Sequence, residues 1–187
     1  MSCRPGVSLS LCWGATLVEV AVSILVVSVG AIGVAGLQIS AKRMAYQAVL
    51  RSEAADRASG MLERIRANHS VLDTYAVTGL GAATGNSLQQ PAVDCAAHSC
   101  SAQQLRAWDL WQWERALDGT EAEGSQGGLP NATGCIGVRA RLVTVTVAWR
   151  GLQDAPDPNT ATGCGAGNYG GEEGRQELRL TAFIAGG

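Results

Sequence analysis

The apolar positions are unevenly spread along the chain. From Ala15 to Leu37 it reads ATLVEVAVSILVVSVGAIGVAGL, 23 residues with a single charge, Glu19. About 20 apolar residues are enough to span a bilayer as a helix. A cleaved secretory signal has a shorter apolar core followed by an A-x-A-like site, and no such site follows Leu37. The stretch therefore predicts a retained membrane helix. Gly30, Gly33 and Gly36 recur at every third position within it. Small residues of this kind let helices approach closely in a membrane and also soften them.

The helical pattern continues after Leu37. Between Ser40 and Asn68 there is no Pro and one Gly, Gly60. Met44, Ala48, Ala55, Ala58, Leu62 and Ile65 fall at helical steps, while Arg51, Glu53, Arg57 and Glu63 lie mostly elsewhere. This predicts one helix from Ala15 to Ala67, apolar all round in its first half and amphipathic in its second. At 1.5 Å per residue such a helix is roughly 80 Å long.

Residues 68–91 are rich in Gly, Ala, Thr and Asn and read as a loop, with a short helical turn near Val71 to Tyr75. Ser101 to Leu117 reads as a helix with Ser101 as its N-cap. Three of its residues are indoles, Trp108, Trp111 and Trp113, expected to pack on a sheet. Asp118 to Gly137 reads as loop, with room for an earlier strand near Leu129 to Val138. From Val138 to Arg150 the pattern alternates: Val143, Val145, Val147 and Trp149 share one face, Thr144 and Thr146 the other. That predicts a half-buried strand. Gly151 to Gly174 is polar punctuation, and Gln176 to Ile184 alternates again through Leu178, Leu180 and Ala182. A helix followed by a small antiparallel sheet that covers its amphipathic half is an α+β order. The expected segments are 1–14, a leader; 15–39, the transmembrane helix; 40–68, the amphipathic helix; and 69–187, a globular head.

Composition changes this picture in two places. The formal net charge is -2 and no block of like charge occurs, so a nucleic-acid contact has no support. Of six Cys, Cys95, Cys100, Cys135 and Cys164 lie beyond the apolar helix. An even distal set suits an oxidising compartment and two disulfides. The pairing Cys95 with Cys100 and Cys135 with Cys164 is expected, one of three connectivities. The second bridge would tie the loops at either end of the Val138 to Arg150 strand.

Glu19 is the chemically odd residue. A carboxylate in an apolar helix is costly in lipid and marks function by default. At a helix start it is also a mildly favourable cap. The stretch Gly14-Ala15-Thr16-Leu17-Val18-Glu19, followed by an apolar run, resembles the type IV prepilin signature. The resemblance implies a cut between Gly14 and Ala15 by a prepilin peptidase, with N-methylation of Ala15. It also implies an assembly role for Glu19, the fifth residue after the cut. Ala15 stands where many members have Phe, and Trp13 where many have a basic residue. Lys42, Arg43 and Arg51 follow the helix while Arg4 alone precedes it, a bias that by itself would keep the head cytoplasmic. The prepilin resemblance and the distal Cys set favour the opposite orientation.

Other stretches resemble one branch of the family, the pilus modification proteins called PilV. These are Ala55-Asp56-Arg57, Leu62 to Asn68, Asp109-Leu110 with Trp113, Leu129-Pro130, and Val145 to Trp149. The resemblance implies a non-enzymatic minor pilin without a cofactor. Its partners would be the peptidase, other major and minor pilins, and inner-membrane lipid before assembly. Its head would be periplasmic and its later location the pilus. Type II secretion pseudopilins share the leader and are the alternative, followed by an envelope binding protein that never enters a fibre. Cys95, His98 and Cys100 make a cramped C-x2-H-x-C without a fourth ligand nearby, so no metal is expected.

Overall fold

The computed structural model describes residues 16–85, 87–120, 128–152, 163–169 and 174–185. The chain divides by contacts into two units, Met1–Arg43 and Met44–Gly187. Helix α1 spans Leu17–Ala67, where the sequence predicts one helix. Within the first unit every described residue of α1 is exposed.

The second unit is a head of α+β type. After α1 come a 3-10 segment at His69–Tyr75, strand β1 (Val77–Leu80), helix α2 (Ala102–Leu117) and strands β2 (Thr133–Arg139), β3 (Leu142–Arg150) and β4 (Arg175–Phe183). The sheet is antiparallel throughout, in the order β1-β2-β3-β4. One face of β3 presents Val143, Val145 and Val147 to the core, where they meet Leu50, Ala54, Ala58, Met61, Leu62 and Ile65 of α1. Burying each large aliphatic side chain of this set contributes about 1.5–3 kcal/mol.

The buried face of α1 differs from the expected stripe. Met44 is 64% exposed and Ala48 is exposed, whereas Leu50 and Met61 are in the core. The spacing Leu50, Ala54, Ala58, Met61, Leu62, Ile65 is equally helical. An Ala-rich helix offers several such stripes, and the sheet selects the one with the larger side chains.

The expected strand from Val138 to Arg150 is in fact a hairpin. Val138 and Arg139 close β2, Ala140 takes a left-handed φ of 53°, and β3 begins at Leu142. A tight turn built on Ala-Arg carries no Gly or Asn signal, which is why the sequence reads through it. Strand β1 falls where a loop was expected. Its four residues, Val-Thr-Gly-Leu, are too few to show a period, and pairing with β2 creates it.

Helix α2 starts at a reciprocal cap. Ser101 Oγ accepts from the Gln104 N–H at 3.3 Å, and Gln104 Oε1 accepts from the Ser101 N–H at 2.8 Å. The helix then lies close over β2 at Gly134. A Cβ at that position would run into the Trp113 ring and come within 2.7 Å of Leu117 Cδ1. Gly134→Ala is therefore expected to force α2 off the sheet and cost about 1–3 kcal/mol, read as a lowered urea midpoint.

Candidate functional site: the N-terminal helix and the disulfide-tied head

The start of α1 is capped. Thr16 precedes the helix, its Oγ1 accepts from the Glu19 N–H at 3.3 Å, and its carbonyl accepts from Val20 N–H at 3.1 Å. Thr16-Leu17-Val18-Glu19 is thus an N-cap followed by a Glu at the third helical position, where the helix dipole favours negative charge. The residues beyond are apolar and exposed: Leu17 is 90%, Ile32 73% and Leu37 73% exposed. This is the one described helix long and apolar enough to cross a membrane. Ser23 and Ser28 return their hydroxyls to the Glu19 and Ile24 carbonyls at 2.8 and 2.6 Å, which hides both from an apolar surrounding. Gly14 and Ala15 lie outside the described residues.

In the head, Cys95 is bonded to Cys100 and Cys135 to Cys164. The first bridge closes a short loop just before Ser101. It also consumes both thiols of the C-x2-H-x-C set, leaving it no thiolate for a metal. The second bridge joins β2 to the segment 163–169, which folds over the outer face of the sheet. There Cys164 and Tyr169 cluster with Ala148, and Tyr169 Oη donates to Thr133 Oγ1 at 3.2 Å. Thr146 and Ala148, placed on the solvent side by the alternation of β3, are buried for this reason. Arg175 is fully buried beneath the same segment, with Nη1 donating to the Cys164 carbonyl at 2.9 Å.

A buried polar network fixes α2 to the end of α1. Tyr75 Oη donates to Asp109 Oδ2 at 2.6 Å, Asn68 Nδ2 donates to Tyr75 Oη at 2.9 Å and to the Ala102 carbonyl at 2.8 Å. Arg64 Nη1 reaches Asp109 Oδ1 at 3.4 Å. Burial, reinforced by the bond to Asp109, pushes the Tyr75 phenol well above its ordinary range, so it stays protonated and donates.

The far end of α2 holds the chain after β1 with two carboxylates one turn apart. Glu114 accepts from the Gly81 N–H at 3.3 Å and the Leu88 N–H at 2.6 Å, while Asp118 accepts from the Ala82 N–H at 2.8 Å. Gly81 has φ of 112°, and a Cβ there would come within 2.6 Å of the Ala132 carbonyl oxygen, so the site requires glycine. Burial raises the Asp118 carboxyl above its ordinary pKa, and the Ala82 bond only partly opposes that. A carboxyl raised on folding lowers stability at pH above its folded pKa, and this cost vanishes as pH falls below the unfolded value. Asp118→Asn, which keeps an oxygen for Ala82, should therefore raise the melting temperature at pH 7. The gain should close as pH falls through the carboxylate range. A variant that melts lower at pH 7 would contradict this.

The three indoles separate. Trp113 is buried over Gly134, and its Nε1 donates to the Arg57 carbonyl at 3.0 Å. Trp108 and Trp111 instead face each other, ring centroids 5.0 Å apart and tilted by 45°. The expected packing on the sheet thus holds for Trp113.

A family model described as type IV pilin Tt1218 matches residues 36–111. No curated protein and no solved structure matches the chain. The matched stretch contains the later part of α1, β1 and most of α2. The chain thus joins a long apolar N-terminal helix to a head of α1, α2 and a four-stranded antiparallel sheet, and over residues 36–111 it is similar to a type IV pilin family.

Proposed function

We propose that the chain is a minor pilin, made as a precursor, cut between Gly14 and Ala15, and assembled with other pilins through α1. The observation that carries this is the exposed apolar run of α1 with its single carboxylate, Glu19, at the third helical position. A soluble head gains nothing from such a helix, whereas a subunit that passes from lipid into a helical bundle needs it. In the precursor the helix spans the inner membrane with the head periplasmic, an orientation that supplies the oxidant for both disulfides. The segments are then a leader at 1–14, an assembly helix at 15–39, its amphipathic continuation at 40–68 and the head at 69–187. Prepilin peptidase processes the precursor and methylates Ala15. Among pilins, the motifs Leu62 to Asn68 and Val145 to Trp149 favour the PilV branch, and the match to a type IV pilin family favours a pilus over a secretion pseudopilus.

Intact-mass analysis of protein from membrane and pilus fractions tests the processing. The expected species lacks Met1 to Gly14 and carries one methyl group on Ala15. A mature end inside or after the apolar run would refute the prepilin reading.

A further inference from the structure

Beside α2 the head has a cleft of about 410 Å³ lined by Arg64, Gln90, Trp108, Trp111, Gln112 and Arg115. We propose that it binds an acidic saccharide, a pyranose carrying a carboxylate.

The lining is rich in hydrogen-bond donors. Arg64 Nη1 donates to Gln112 Oε1 at 2.6 Å and to Asp109 Oδ1 at 3.4 Å. The oxygen of Gln112 is thereby engaged, and its amide NH2 is the group left to meet a ligand. Arg64 retains further N–H groups, since a guanidinium carries five. Arg115 lies over Trp111 with its guanidinium carbon 5.1 Å from the ring centroid, and its Nη2 donates to the Thr120 carbonyl. Asp109 offsets the Arg64 charge through Oδ1, so among the described residues that line the cleft Arg115 supplies the remaining positive charge. An acceptor-rich, anionic ligand matches such a lining.

The apolar part of the lining selects a ring. Trp111 is partly exposed with Arg115 over its ring, and the buried Trp108 lies beside it at a centroid distance of 5.0 Å and 45°, so the uncovered part of Trp111 is the surface that suits C–H groups. The volume falls in the usual small-molecule range of roughly 300–1,000 Å³. A polynucleotide needs a basic groove that tracks its backbone. On α1, Arg57 and Arg66 are paired instead with Glu53 and Glu63.

Detergent-solubilised full-length protein titrated with trigalacturonate, followed by tryptophan fluorescence and by heat, tests this. Saturable single-site binding is expected, with neutral maltotriose at least about tenfold weaker. Arg115→Gln and Trp111→Leu should each weaken trigalacturonate about tenfold, the size of one lost charge-assisted contact. Melting temperatures confirm that the variants fold, and if Trp111→Leu does not, Arg115→Gln decides. Absent saturation, undiminished binding by the folded variants, or equal affinity for hexaglutamate overturns the proposal.

Discussion

Glu19→Gln is expected to insert and be processed normally, yet to enter sheared pilus fractions at about a tenth of the wild-type level or less. In the proposed precursor the carboxylate would lie near the membrane surface, where water and headgroups solvate it. In a fibre it would be surrounded by apolar helices. An unpaired buried charge costs several kcal/mol, and a partner of opposite sign removes most of that. On the proposed processing, the freed amine of Ala15 on an adjacent subunit supplies that partner. Losing even about 1.4 kcal/mol from the docking step lowers incorporation tenfold. Glu19→Val should behave similarly, because it leaves no charge to bury but also no attraction. Thr16→Ala separates docking from capping. It removes the side-chain acceptor of the Glu19 N–H while keeping the carboxylate, at about 0.5–2 kcal/mol of helix stability. If Thr16→Ala lowers incorporation as far as Glu19→Gln does, the residue acts only as a cap. Wild-type levels for both Glu19 variants would exclude the docking role.

Removing the Cys135–Cys164 bridge with paired Ser substitutions is expected to cost the head about 3–4 kcal/mol in urea unfolding. The bridge closes a loop with a sequence separation of 29 residues, and the chain-entropy model assigns about that much to such a loop. The Cys95–Cys100 bridge spans a separation of 5 and is expected to contribute about 2 kcal/mol on the same model. The larger bridge has a second effect. Without it the segment 163–169 loses its covalent hold on β2, and Arg175 loses the fixed Cys164 carbonyl that receives its N–H. Thr146 and Ala148 would then face water again. A loss below about 1 kcal/mol would mean that the Tyr169 and Arg175 contacts hold this segment unaided.

What local pattern determines was legible. The helix of α1 follows from an unbroken run of helix formers, and it ends at Ala67, where Asn68 and the 3-10 segment begin. The N-cap at Ser101 and the alternation of β3 and β4 are equally local, because capping and a period of two are properties of adjacent residues. What depends on a distant partner was not. Four residues of β1 become a strand only because Ile136 and Gly134 of β2 lie beside them. Which stripe of an Ala-rich helix turns inward is decided by the sheet it meets, so Leu50 and Met61 are buried and Met44 is not. Trp108, Trp111 and Trp113 look alike in sequence, but the close approach at Gly134 admits only Trp113. Thr146 and Ala148 are buried because the loop carrying Cys164 and Tyr169 covers a face that the alternation alone would give to solvent. Glu114 and Asp118 hold backbone N–H groups some 30 residues earlier. No periodicity records such a contact, because it exists only once the chain has folded back on α2.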